Sequence, residues 1–115
     1  GHNMQGDIQV RQQGGPKFRA VTGYVAFGEG WALYAEAVCK EMDAYPDVAA
    51  DFFRLDAELF RAARLVVDTG IHAKGWTEQG ATTYMHVTGR QPLQRAHSEV
   101  RRYITLPGQA TGYKI

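Results

Sequence analysis

The stretch Gly28-Glu29-Gly30-Trp31-Ala32-Leu33-Tyr34-Ala35-Glu36 places two carboxylates among apolar and small side chains. Glu29 and Glu36 are about two helical turns apart, so on a helix both point to the same side. A carboxylate in apolar surroundings needs water, a cation or a metal ion as its partner. The stretch therefore predicts either a half-exposed helix with acids at its rim, or a helix in which Glu29 is a ligand or a catalytic group.

Apolar residues recur at helical spacing along most of the chain, and no segment alternates as a strand does. This pattern predicts an all-α fold, a compact bundle of about four to five helices. The 115 residues are expected to form a single helical domain, with a polar N-terminal arm at 1–20, a helical hairpin at 21–70, and C-terminal helices with a tail at 71–115. The predicted helices span about residues 21–44, 47–69, 77–87 and 92–105.

The second predicted helix carries the clearest apolar stripe, and it is expected to be well buried. Asp47 and Thr77 are predicted to cap the N-termini of the second and third helices, because their side-chain oxygens can accept from free backbone N–H groups. Gly70 is predicted to end the second helix. The stripe consists of Phe52, Leu55, Leu59, Ala62 and Val66, widened by Phe53, Phe60 and Val67.

Two further features of the first long helix carry structural expectations. Glu36 is expected to pair with Arg61 or Arg64 of the next helix, which makes the two helices an antiparallel hairpin. Gly28 and Gly30 each weaken a helix interior by about 0.5–1 kcal/mol relative to Ala. Their presence indicates that another backbone or a ligand approaches this helix closely.

The composition is that of an ordinary globular protein, with 44% hydrophobic residues, 22% charged residues and a net charge of +1. This balance gives no indication of nucleic-acid binding, and no apolar run is long enough for a membrane span. No signal peptide is recognisable, so a cytoplasmic location is the default expectation. Cys39, the only cysteine, is expected to be a small buried hydrophobe.

Five pieces of the chain, taken in order, resemble the C-terminal part of the bacterial DUF885 family, which is similar to zinc metallopeptidases of the His-Glu-helix type. The pieces are Gly1-His2-Asn3-Met4-Gln5, the stretch 29–36 quoted above, Arg61-Ala62-Ala63-Arg64-Leu65-Val66-Val67-Asp68-Thr69-Gly70-Ile71-His72, Gly75-Trp76-Thr77, and Glu99-Val100-Arg101-Arg102-Tyr103-Ile104 with Pro107-Gly108-Gln109-Ala110 and Tyr113-Lys114.

The resemblance implies a zinc site. The family's motif is His-Glu-x-x-Pro-Gly-His, in which two histidines and a more distant glutamate hold zinc and the motif's glutamate is the general base. Glu29 matches the distant glutamate, and His2 matches the last histidine. The first histidine and the catalytic glutamate have no counterpart, so zinc is expected to be absent or weakly bound in this chain. Gly1-His2 is either native or the remnant of a cleaved tag.

The resemblance also implies roles for residues of the C-terminal half. His72 is a candidate catalytic residue that donates to a developing oxyanion or orients a ligand, or else it caps a helix end. Tyr103 and Tyr113 are candidates to stabilise a transition state, or else they are core tyrosines. Arg101 and Arg102 are candidates to clamp a carboxylate of a peptide or another small ligand, or else they form surface ion pairs.

Two functions are compatible with these expectations. The one favoured for the chain alone is a non-catalytic helical module that binds a partner or a ligand. The alternative is a metal-dependent peptide or amide hydrolase whose missing metal ligands come from another chain. The faces around Trp31, Tyr34 and the pair Phe52 and Phe53 are expected to be exposed in the single chain. An exposed apolar patch of this kind predicts a partner, and we expect a homo-oligomer in the form of a two-fold dimer.

Overall fold

The computed structural model describes residues 2–12, 15–20 and 22–114, and within these ranges the fold is all-α, as the sequence predicts. None of the described helices combines the length and the apolar character that a membrane crossing requires. Short 3₁₀ turns occur at Lys17–Ala20 and Ala110–Tyr113. The five α-helices are α1 (His2–Arg11), α2 (Val25–Glu41), α3 (Val48–Lys74), α4 (Glu78–Val87) and α5 (Leu93–Thr105).

The two predicted N-caps are confirmed. The carboxylate of Asp47 accepts the N–H of Ala50 at 2.8 Å, and the hydroxyl of Thr77 accepts the N–H of Gly80 at 3.1 Å. Each bond satisfies one backbone donor in a first turn, where no carbonyl of the same helix is available. The starts of α3 and α4 are therefore fixed by local chemistry that the sequence displays.

The predicted end of α3 at Gly70 is wrong, because the helix continues to Lys74. Gly75 ends the helix in the left-handed conformation, with φ 67°, and its N–H donates to the carbonyl of Gly70. Only glycine adopts this conformation without strain. Gly70 lies inside the helix for a packing reason: a Cβ there would lie 2.5–2.9 Å from ring atoms of Trp76.

The hydrophobic core forms where α4 and α5 pack on the C-terminal half of α3. Val67, Met85 and Val100, one from each helix, are completely buried. The alanines between them let the three helix backbones approach each other. The buried apolar side chains are Phe60, Ala63, Val67, Ala81, Met85, Ala96, Val100, Tyr103 and Ala110.

The N-terminal half of α3 is exposed, so the prediction of a well-buried stripe is wrong for these turns, and the expected exposure of Phe52 and Phe53 is confirmed. The exposed fractions of Phe52, Phe53 and Leu55 are 56%, 69% and 50%, and that of Leu59 is 37%. Buried positions on α3 begin only at Phe60, where α4 and α5 pack against it. The apolar stripe thus extends towards the N-terminus of α3, beyond the turns that α4 and α5 cover.

Charged side chains hold the C-terminal half of α2 to α3. Arg61 donates two hydrogen bonds to the carboxylate of Glu36, at 2.8 and 2.9 Å, which confirms one of the two predicted pairings. Lys40 and Asp51 form an ion pair at 2.9 Å. Because the later residue of α2 pairs with the earlier residue of α3, the two helices run antiparallel, as the hairpin prediction requires.

One expectation for α2 is wrong, and another is wrong for one of its two alternatives. Cys39 is exposed rather than buried, because it lies on a side of α2 that no described element covers. At Gly28 and Gly30 an added Cβ would meet no atom within 4 Å. No backbone in the described part of the chain therefore approaches either glycine, and the alternative, a ligand at these positions, stays a prediction.

Replacing Gly70 with Ala is expected to destabilise the protein relative to replacing Gly30 with Ala. Both glycines lie inside helices, so both substitutions gain about 0.5–1 kcal/mol of helix propensity. At Gly70 the new methyl group overlaps the ring of Trp76, and such overpacking costs about 1–3 kcal/mol. At Gly30 the methyl group enters open space. Urea unfolding of both variants measures the difference, and equal free energies of unfolding would contradict the packing at Trp76.

Candidate functional site

One side of α3 carries four polar residues at helical spacing: Arg61, Arg64, Asp68 and His72. We call them the polar stripe of α3. Arg61 bonds to α2, Arg64 and His72 bond to α5, and Asp68 bonds to the turn after α5. A single helix face therefore connects most of the remaining elements of the fold.

A half-buried charged cluster lies between α3 and α5. One carboxylate oxygen of Glu99, Oε2, accepts from Arg64 at 3.1 Å, from Arg102 at 2.9 Å and from the hydroxyl of Tyr103 at 2.7 Å. The Nε of Arg64 also donates to the hydroxyl of Tyr103 at 3.2 Å. We call these four residues the Glu99 cluster. It contains two cations and one anion.

The cluster keeps Glu99 ionised. Burial raises the pKa of the Glu99 carboxyl, but hydrogen bonds from Arg102, Tyr103 and Arg64 outweigh burial and lower this pKa to about 2. Burial and the hydrogen bond to Glu99 raise the pKa of the Tyr103 hydroxyl above its usual range. Tyr103 is therefore a neutral donor at physiological pH, and its proton is directed at Glu99.

The Glu99 cluster extends into the C-terminal 3₁₀ turn. The guanidinium of Arg64 lies 4.7 Å from the ring centroid of Tyr113. Arg102 donates to the side-chain oxygen of Gln109 at 2.7 Å, and the amide of Gln109 donates to the hydroxyl of Tyr113 at 3.4 Å. Three predicted site residues, Arg102, Tyr103 and Tyr113, are thus brought together.

Asp68 and His72 bind backbone groups at the end of α5. The carboxylate of Asp68 is buried and accepts the N–H of Gly108, at 3.0 and 3.2 Å to its two oxygens. The Nε2 of His72 lies 3.0 Å from the carbonyl oxygen of Tyr103, to which it donates in the tautomer that carries hydrogen on Nε2. His72 is therefore a neighbour of the Glu99 cluster through the backbone.

Arg101 lies apart from this group of residues. Its Nε donates to Glu78 of α4 at 2.8 Å, and His97 contacts the same carboxylate oxygen at 3.0 Å. Arg101 is 67% exposed. The two predicted carboxylate clamps are thus separated, because Arg102 belongs to the Glu99 cluster while Arg101 joins a surface ion pair between α4 and α5.

The two predicted metal ligands meet between α1 and α2. The Nε2 of His2 lies 3.7 Å from Oε2 of Glu29, and the two side chains are 58% and 27% exposed. The buried side chain of Gln5 donates to the carbonyl of Phe27 at 3.1 Å, which fixes α1 against α2. The described residues contain no group of three or more His, Cys, Asp and Glu side chains that could hold a metal ion.

Sequence reasoning missed the central roles of Glu99 and Asp68. In the sequence, Glu99 is one acid among several bases of the C-terminal region, which is the usual composition of a solvated surface. The available signal was spacing: Arg64 and Asp68 interrupt an apolar helix at positions one turn apart, between the flanking Arg61 and His72. Polar residues that repeat along one side of a buried helix need partners on neighbouring elements.

Glu99→Gln is expected to lower the free energy of unfolding at pH 7 by about 3 kcal/mol, because Arg64 and Arg102 lose their carboxylate. The folded pKa of about 2 lies below the usual value of 4.5. The stabilisation is therefore complete above about pH 5 and declines as the pH falls from the usual value towards 2. Urea unfolding at pH 7 and pH 3 should show a smaller difference between variant and wild type at pH 3.

The matched control for this measurement is Glu78→Gln, which removes an exposed carboxylate that also binds an arginine of α5. Solvent screens this pair, so little change in stability is expected. Equal losses in the two variants would contradict the special position of Glu99.

Comparison with protein families finds a match over residues 1–115 to the family described as "Bacterial protein of unknown function (DUF885)". Neither the comparison with curated proteins nor the comparison with solved structures finds a significant match. Because the family match extends from the first to the last residue, the chain belongs to the DUF885 family.

Proposed function

We propose that this chain supplies two ligands, His2 and Glu29, to the zinc site of a metal-dependent peptide or amide hydrolase. The supporting observation is the 3.7 Å distance between the His2 Nε2 and the Glu29 Oε2, which come from two different helices. Two ligand atoms bound to one tetrahedral zinc at about 2.0–2.2 Å lie roughly 3.4 Å apart. The pair therefore fits a metal after a small movement of two accessible side chains.

Two protein ligands are fewer than zinc requires, so the remaining ligands and the general base come from other residues. In the zinc peptidases that the family resembles, they are a second histidine and the glutamate of the His-Glu-x-x-Pro-Gly-His motif. Bound zinc lowers the pKa of a water molecule so that it becomes a nucleophile. Within this chain, Gln5 holds α1 on α2 and thereby keeps His2 beside Glu29.

Among the candidate tyrosines, Tyr113 is better suited than Tyr103 to donate to a substrate. The hydroxyl of Tyr103 gives its proton to Glu99, whereas the hydroxyl of Tyr113 accepts from Gln109 and keeps its own proton for another acceptor. His72, the remaining catalytic candidate, uses its Nε2 at the end of α5.

Among the candidate arginines, Arg101 is better suited to bind a substrate carboxylate. Both terminal nitrogens of Arg102 are occupied, because one donates to Gln109 and the other donates to Glu99. Arg101 uses only its Nε within the described residues, so its two terminal nitrogens remain for a carboxylate of a peptide or small ligand.

Glu29→Gln is expected to abolish zinc binding by the purified chain, because an amide is a much weaker zinc ligand than a carboxylate. Isothermal titration with zinc chloride should detect weak binding by the wild-type chain and none by this variant. The matched control is Glu36→Gln, since Glu36 lies on the same helix but bonds to Arg61. Equal zinc binding by Glu29→Gln and wild type would contradict the proposal, as would a chelator-sensitive peptidase activity of the chain alone.

A second candidate function is that of a non-catalytic helical module that binds a partner. The supporting observation is the exposure of large apolar side chains on α2 and on the N-terminal half of α3. Tyr34, Phe52, Phe53 and Leu55 are each exposed to at least half of their surface. Exposed aromatic and aliphatic side chains in such numbers are typical of interaction surfaces. In a two-fold dimer, this surface is buried against its copy.

Phe53→Ser is expected to weaken such a dimer by roughly tenfold or more, because removal of a buried aromatic ring from an interface commonly costs over 1 kcal/mol. Sedimentation velocity at increasing protein concentration measures the dissociation constant. Val87→Ser is the matched control, since Val87 is equally exposed but lies on α4. A wild-type chain that stays monomeric at every concentration would contradict the dimer.

A further inference from the structure

Residues 106–114 contain the end of the last piece of the family resemblance, and apart from Tyr113 the proposed functions give its residues no role. The segment leaves α5 and contains the 3₁₀ turn Ala110–Tyr113. It contacts both α2 and α3, and the contacts of α2 with this segment are more extensive than those of α2 with α3. We call residues 106–114 the C-terminal strap.

The first half of the strap is fixed to α3 and α5 by polar contacts. Gly108 adopts a positive φ of 80°, and its N–H is bound by the buried carboxylate of Asp68. Gln109 accepts from Arg102 of the Glu99 cluster. Ala110 is completely buried. This half therefore has one backbone bond, one side-chain bond and one apolar contact to the core.

The second half of the strap is fixed to α3 by two cationic contacts. The ring of Tyr113 lies under the guanidinium of Arg64 at 4.7 Å. The amine of Lys114 pairs with the carboxylate of Glu58. The hydrogen bond from Lys114 lowers the pKa of the Glu58 carboxyl, burial raises it, and the net result is a pKa below the usual value.

The side of the strap that faces α2 has no room for a side chain. A Cβ at Gly112 would lie 2.7 Å from Cγ1 of Val25 and 3.2 Å from the backbone nitrogen of Ala26. The two backbones thus approach each other at the first turn of α2. Glu29 lies one helical turn beyond Val25, on the same side of α2.

The two halves of α2 have different anchors. Within the described residues, the side-chain bonds from α2 to α3 come from its C-terminal half, where Glu36 binds Arg61 and Lys40 binds Asp51. The N-terminal half, which carries Glu29, rests on the strap through the close contact at Gly112. Helix α1 is attached to the same half, because Gln5 donates to the carbonyl of Phe27.

From this arrangement we infer that the C-terminal strap positions the N-terminal half of α2, and that Gly112 and Lys114 are positioning residues for Glu29. The inference rests on the proposed function only for the role of Glu29 as a metal ligand. The coupling between the strap and α2 is a property of the polypeptide and requires no metal.

Hydrogen–deuterium exchange of the metal-free chain tests the coupling. Gly112→Val pushes the strap away from α2, and Lys114→Met removes its bond to Glu58. In both variants, the amide hydrogens of residues 28–31 should exchange roughly tenfold faster than in wild type. The amides of residues 36–41 and of α4 and α5 should keep their protection, because their anchors are unchanged. Lys114→Arg should restore wild-type exchange.

The outcomes separate this inference from the proposed function. Unchanged exchange at residues 28–31 in Lys114→Met, or equally faster exchange throughout the chain, overturns the inference whatever the zinc titration shows. Faster exchange confined to residues 28–31, with rescue by Lys114→Arg, supports it. That support stands even where the wild-type chain binds no zinc, a result that overturns only the role of Glu29 as a ligand.

Discussion

Two guanidinium groups meet at one carboxylate oxygen of Glu99, and the rest of the structure depends on this meeting. The positive charges of Arg64 and Arg102 are half-buried, so each requires an opposite charge nearby to offset the loss of water around it. Glu99 satisfies both and fixes α5 in register with α3. Arg64 then holds Tyr113, and Arg102 then holds Gln109, so the C-terminal strap is attached to the same pair of helices.

Two kinds of attachment divide the molecule. The C-terminal half of α3, together with α4 and α5, is held by apolar packing around residues such as Val67 and Met85. The attachment of α2 combines ion pairs at one end with a close backbone contact at the other. The overall extents of 48 × 39 × 19 Å describe a flat molecule, and such a shape leaves many apolar side chains of α2 and α3 uncovered.

Local chemistry made the starts of α3 and α4 predictable. The side chains of Asp47 and Thr77 cap α3 and α4 through neighbours only three residues away. The burial of α3 was less predictable, because an apolar stripe indicates that a surface can be covered and does not indicate how far the cover extends. The predicted helix end at Gly70 was wrong for a similar reason. Gly70 leaves room for the ring of Trp76, a residue beyond the end of the helix, and the local sequence does not reveal this contact.

The candidate site was predictable in part. The family resemblance selected His2 and Glu29, and the structure brings their side chains close together. It also selected Arg102, Tyr103 and Tyr113, which share one network of contacts. Glu99 is part of a family piece, but no role was predicted for it, since an acid near several bases is typical of solvent-exposed helices. Only the packing of α5 on α3 places its carboxylate between Arg64 and Arg102.

The position of the strap also determines the order in which the fold can be completed. During synthesis α2 is made long before residues 106–114. The contact of its N-terminal half with Gly112 is therefore missing while α3, α4 and α5 are being made. The strap that makes this contact is itself bound to α3, through Asp68 and Glu58. The contact between Gly112 and the first turn of α2 therefore joins residues far apart in sequence, and such non-local contacts slow folding in general.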